Sequence, residues 1–135
     1  MCLAVCYQTE TRMIITHFTD IKAVLPVQTK AGTQTCLPWG RRTCERGELP
    51  LGGWLTVEAL KQGKFDYYSP KKVKIPALKF MEQDIENRLR WFDVTAGFWI
   101  QGVLLKEQEE QRVYVVVFTP ELRESHYLRW PQLQT

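Results

Sequence analysis

Two ligand spacings that build zinc sites are missing from this chain: it has no C-x2-C pair and no H-x3-H pair. Its four cysteines and two histidines therefore offer no ready framework for a structural metal. Clustered glycine is missing too. Gly52-Gly53 is a lone pair and Gly47 is isolated, so turns explain them better than a phosphate cradle does. No apolar stretch approaches the ~20 residues of a membrane helix. The N-terminus lacks the basic start and apolar centre of a signal peptide. The expectation is a cytoplasmic protein without a membrane partner, with Cys2, Cys6, Cys36 and Cys44 as reduced thiols. Neither internal repeats nor low-complexity tracts interrupt the chain. Charge of one sign does not dominate either. The 18 basic and 15 acidic side chains leave a net charge of +3, which permits a nucleic-acid partner without demanding one.

What is present suits one domain spanning residues 1–135. A chain of this size buries roughly two-thirds of its unfolded surface. With 44% hydrophobic residues it has the material for a core, which excludes a disordered protein. Leu3 to Tyr7 and Arg12 to Phe18 read as a hairpin around Gln8-Thr9-Glu10-Thr11. Alternation along the first strand puts Cys2 and Cys6 on one face. Thr19-Asp20 caps a short helix through Val24, ended by Pro26. Residues 28–35 form a polar loop, and Gln34 to Trp39 a strand. Gly40 to Gly53 is a long surface loop of the kind that carries function.

Trp54 to Lys61 is the clearest helix, with Thr56 before its periodic residues and Gly63 behind them. Residues 67–70 make a turn. The segments on either side of Pro76 are ambiguous, and the proline itself fits an edge or a bend. Leu89 to Val94, Phe98 to Leu105 and Val113 to Phe118 read as strands. The last is almost wholly β-branched or aromatic, as a strand buried on both faces would be. Residues 120–127 read as a final helix. The sum is α+β: a mainly antiparallel, curved or barrel-like sheet with two or three short helices.

The chemistry starts at Cys2. Its side chain is small enough for removal of Met1, and removal would leave an amine and a thiol on one residue. Such a 1,2-aminothiol condenses with an aldehyde to a thiazolidine ring. His17 lies in an apolar strand and reads as a solvent-facing strand residue. His126 is the better general acid or base, since its reference pKa lies near neutral. Aromatic and basic residues mix at Trp39-Gly40-Arg41-Arg42, at Arg88-Leu89-Arg90-Trp91 and at Arg129-Trp130. A stacking ring flanked by cations suits single-stranded nucleic acid. The nearest approach to a basic cluster is Lys71, Lys72 and Lys74.

Met1-Cys2, Leu37-Pro38-Trp39-Gly40, Ala96-Gly97-Phe98-Trp99 and His126 with Arg129 and Pro131 follow one another in a definite order. In that order the chain resembles the SOS-response-associated peptidase (SRAP) family, as a remote or trimmed member. The resemblance implies an N-terminal Cys2 that traps the aldehyde of an abasic site in single-stranded DNA. It implies Cys2 and His126 as catalytic residues, and no cofactor. Trp39 would then stack at the DNA, with Arg41, Arg42, Lys72 and Arg129 at its phosphates. Two departures stand out. At the family's glutamate the sequence runs Phe98-Trp99-Ile100-Gln101, so the acid is replaced by an amide. The family's Asn-Ala-Arg segment has only Asn87-Arg88 to represent it. Two other readings stay open: a nucleic-acid or protein binding module without chemistry, and an interaction protein of a phage or mobile element using the loop from Gly40 to Gly53.

Overall fold

A computed structural model describes residues 2–118 and 130–134. The chain is mostly β-strand, laid out as two sheets that share a core. The smaller sheet has the order β2-β1-β7-β8. It comprises β1 (Cys2–Gln8), β2 (Met13–His17), β7 (Lys79–Gln83) and β8 (Leu89–Asp93), all antiparallel. The larger sheet runs β11-β10-β9-β6-β3-β4, with β12 beside β9 and β5 beside β10. Its strands are β3 (Val24–Gln28), β4 (Gln34–Pro38), β5 (Trp54–Thr56), β6 (Lys71–Ile75), β9 (Trp99–Glu107), β10 (Glu110–Phe118), β11 (Trp130–Pro131) and β12 (Leu133–Gln134). The β5–β10 pairing is parallel and the other ladders of this sheet are antiparallel. Among the described residues the sheets stay open and form no closed barrel.

Local chemistry accounts for the connections. Thr9 closes the first hairpin: its N–H donates to the Arg12 carbonyl at 2.8 Å, and its Oγ1 accepts from the Arg12 N–H at 3.2 Å. The polar stretch after β3 is a second hairpin, in which Gly32 takes a φ of +82°. Residues 19–23 were expected to begin a helix. Instead Asp20 turns the chain by accepting the Lys22 N–H at 2.9 Å, and Val24 and Pro26 enter a strand. Pro26 is tolerated there because β3 meets β6 only at its far end, Gln28 opposite Lys74, so its missing N–H breaks no ladder on that side. Pro76 marks the crossing between sheets: β6 ends before it, and Leu78 N–H then opens the new ladder on the Cys6 carbonyl at 2.8 Å.

The described residues hold one α-helix, α1 (Val57–Lys61), and one 3-10 turn (Asp66–Tyr68). Thr56 caps α1 as its sequence suggests, accepting the Ala59 N–H at 3.2 Å. Trp54 to Thr56 is strand, however, not helix, because it lies alongside β10. The expected helix over residues 120–127 lies outside the described residues. No helix among them is long and apolar enough to cross a membrane.

β10 is buried from Val113 to Val117, and the reason lies on its two sides. Val113, Val115 and Val117 join Val5, Phe80, Leu25 and Ile75 in the core between the sheets. Tyr114 and Val116 point the other way, with Val103 and Leu105 of β9, and are covered by Leu49, Val57, Leu60 and Phe65. A loop and a short helix thus complete a second, smaller core on the outer face of the larger sheet.

Candidate functional site

Cys2 sits at the start of an interior strand of the smaller sheet. Opposite it stands Glu82 of β7. The next pairs are Ala4 with Met81 and Val5 with Phe80, so Leu3 is an extra residue in the ladder. This β-bulge decides where the thiol points. Val5 and Tyr7 face the core, and strict alternation would turn Cys2 outward. The bulge turns it inward, where it is 1% exposed and joins the same core. Cys2 and Cys6 therefore lie on opposite faces, contrary to the regular strand expected from sequence.

Glu82 follows Phe80 by two residues and shares its inward face, at 0% exposure. Burial disfavours its charge and pushes the carboxyl pKa up to about 7. Burial also raises the pKa of the Cys2 thiol, and the nearby Glu82 charge raises it further. The thiol is held protonated and donates to the Ala4 carbonyl at 3.7 Å. Cys2, though not Glu82, also lines a pocket of about 360 Å³, with Leu3, Phe18, Leu51, Gly52, Gly53 and Trp54 around it. The arrangement joins a sulfur nucleophile, a carboxyl poised to exchange a proton near neutral pH, and a mostly apolar recess.

The wall of that pocket explains Trp39. Its ring is fully buried, packs edge-on against Phe18 at 5.6 Å, and donates its indole N–H to the Gly53 carbonyl at 2.9 Å. It is a core residue and cannot stack on a nucleic-acid base. Gly40 follows with a φ of +57°, and a Cβ there would come within 2.2 Å of the Gly52 carbonyl oxygen. The Trp-Gly step is thus a packing device that seats the loop from Gly40 to Gly53 against the sheet.

Arg41 and Arg42 are likewise committed inside the protein and do not reach toward phosphates. Arg41 donates to the carbonyls of Leu49 at 2.5 Å and Glu45 at 2.8 Å. Arg42 is 8% exposed. It donates to the Phe18 carbonyl at 2.6 Å and to Glu45 Oε1 at 3.0 Å, and its guanidinium stacks 4.3 Å from the Phe18 ring centroid. Glu45 Oε2 also accepts from Arg112 at 3.0 Å. Burial pushes the Glu45 pKa up, but hydrogen bonds from Arg42 and Arg112 outweigh it and hold the carboxyl below its ordinary value.

Asn87 serves its own turn. Its φ is +66°, its N–H donates to the Asp84 carbonyl at 3.0 Å, and its side chain accepts from Gln83 at 3.0 Å. Gln101, taken from sequence as the substitute for the family's acid, is on the outer face of the larger sheet and accepts from Gln134 at 2.6 Å. It faces away from Cys2. His17 is exposed on β2, as expected. Lys72 is exposed on β6 and remains available to a ligand. His126 and Arg129 lie outside the described residues.

Of the site residues singled out from sequence that fall among the described residues, Cys2 alone lines this pocket. Glu82 escaped notice because a regular strand was not recognised around Pro76. Its signal was nevertheless there: a charged residue two positions from a core aromatic, on the buried face. No family model, curated protein or solved structure matches the chain.

Proposed function

We propose that this protein is a SRAP-like trap for aldehydes, and that its natural target is the ring-opened abasic site of single-stranded DNA. The observation that carries the proposal is the pairing of Cys2 with the buried carboxyl of Glu82 beside an open pocket.

The reaction requires Cys2 to be the mature first residue. Its α-amine, with a reference pKa near 8, is partly neutral at physiological pH. The amine adds to the aldehyde carbon, and the carbinolamine loses water to give an imine. The protonated form of Glu82 supplies the proton that leaves with the water. Cys2 sulfur then adds to the imine carbon. The imine keeps the amine's remaining proton as an iminium, and the ionised Glu82 takes the thiol proton as the sulfur adds, so aldehyde and aminothiol yield a thiazolidine and one water. A carboxyl whose pKa is raised by burial can serve in both directions.

The test is incubation of the untagged protein with abasic single-stranded DNA, followed by a denaturing gel, with intact mass reporting removal of Met1. A covalent band is expected. Cys2→Ala removes it, Cys6→Ala leaves it, and Glu82→Gln slows it by about 10²-fold or more, the usual weight of a positioned acid–base group. A correctly processed protein that forms no band would end the proposal.

A further inference from the structure

On the outer face of the larger sheet, beyond the patch covered by α1, two cavities of about 170 and 220 Å³ adjoin, sharing Lys72, Gln101 and Gln134. Val73 and Ile75 of β6 point into the core between the sheets, so alternation sends Lys72 and Lys74 outward. Lys30 lies at one end of this groove and Lys61, in the last turn of α1, at the other. Among the described residues no aspartate or glutamate lines either cavity. None of the four lysines is ion-paired among the described residues. The rest of the polar lining is the Thr29 hydroxyl and the amides of Gln28, Gln101, Gln132 and Gln134. In a chain of +3 net charge with its signs interleaved, an acid-free run of four cations is a local departure.

Trp99 stands in the same groove. It is partly exposed, and Lys74 Nζ lies 3.9 Å from its ring centroid. We propose that this groove binds single-stranded nucleic acid, with phosphates against Lys30, Lys61, Lys72 and Lys74 and an unstacked base on Trp99. Lysine ammonium groups pair with phosphates along a backbone, and an aromatic ring accepts any base face. A base settling on Trp99 takes the place of Lys74 over the ring and releases that ammonium to a phosphate. The glutamines offer donors and acceptors to base edges without preference of charge. A duplex keeps its base faces stacked and cannot use Trp99 in this way, so single strands are favoured. The inference does not rest on the aldehyde-trapping reading, because the groove and Cys2 lie on opposite faces of the larger sheet.

The probe is a fluorescent oligothymidylate of roughly 12 nucleotides with no abasic site, titrated by anisotropy at several salt concentrations. The wild type is expected to bind with an affinity that falls steeply with salt. Lys72→Glu/Lys74→Glu should weaken it by about tenfold or more and lower the salt slope by about two. Trp99→Ala should weaken it while leaving the slope unchanged. Lys79→Glu, a single reversal of charge on the other sheet, should change little. These substitutions fall on exposed or partly exposed side chains, and unchanged far-ultraviolet circular dichroism confirms folding. The inference is overturned if the wild type does not bind at low salt, if a duplex of equal length binds as well, or if Lys79→Glu costs as much as the double variant. Because the probe carries no aldehyde, the result is independent of any covalent band.

Discussion

A carboxyl kept from water holds its proton more tightly than it does in the unfolded chain, and Glu82 at 0% exposure is such a group. Its pKa stands at about 7 in the folded protein against 4.5 as the ordinary value. The folded state thus gains from the proton, and that gain is whole below the unfolded pKa. It is lost as pH rises through 4.5 and up to about 7. The difference is worth about 3 kcal/mol at 1.36 kcal/mol per pKa unit. Glu82→Gln keeps the shape and removes the titration. Denaturant unfolding at pH 5 and pH 8 should show the variant gaining about 2.5 kcal/mol on the wild type over that interval, since a part is already lost at pH 5. A gap that stays constant with pH would mean that Glu82 is not the titrating group. At this scale the sequence was legible in part. Cys2 could be named from its position and chemistry, but its orientation could not, since one extra residue in a strand reverses a side chain without leaving a mark in composition. Trp39 and Arg42 misled for a related reason: a ring beside cations looks the same whether it faces solvent or, as here, packs with Phe18 inside the fold.

The loop from Gly40 to Gly53 behaves as an element in its own right. Glu45 fastens it by accepting from Arg42, within the loop, and from Arg112, on β10. These three side chains are only 8–12% exposed, so the charges are shielded from water and depend on one another. Glu45→Ala leaves two guanidinium groups facing each other without their shared acceptor. Arg112 keeps its ion pair with Glu110 and Arg42 its bond to the Phe18 carbonyl, so the expected loss is about 1–3 kcal/mol, that of leaving buried donors unsatisfied. Glu45→Gln, which can still accept one hydrogen bond, should lose less. Chemical denaturation of both variants checks the order, and equal, small losses would show the loop to be held by Leu49 and Trp39 alone. The loop itself was readable from its glycine, proline and charge content, as were the first hairpin, the cap at Thr56 and the central strand β10, because each follows from local pattern. The strand at Val24 to Gln28 was not. Its proline and the preceding Thr-Asp signal a helix stop and start, and only pairing with residues far along the chain overrides them.

Taken as a whole, the molecule divides its protection unevenly. β9 and β10 have hydrogen-bonded neighbours on both edges and apolar cover on both faces. The smaller sheet packs one face into the core, and its other face buries Ala4 and Cys6 but leaves Met13, Ile15, Leu89 and Trp91 exposed. Local opening should therefore be cheapest in the smaller sheet and dearest at β9–β10. The four cysteines sample this difference conveniently. All are free thiols; Cys36 and Cys44 are exposed, whereas Cys2 and Cys6 are 1% and 3% exposed on the interior strand of the smaller sheet. Treating native protein with a chromogenic disulfide should modify two thiols at once and two slowly, with all four reacting at once in denaturant. The slow phase should report opening of β1 and should exchange at lower free energy than the amides of Val103 and Val115 measured by hydrogen exchange. If both slow thiols react only at the global unfolding rate, the two sheets open as one unit. In that case Leu51→Ala, which widens the pocket that Cys2 lines, should open a route to that thiol that needs no unfolding and speed its modification while leaving Cys6 unchanged.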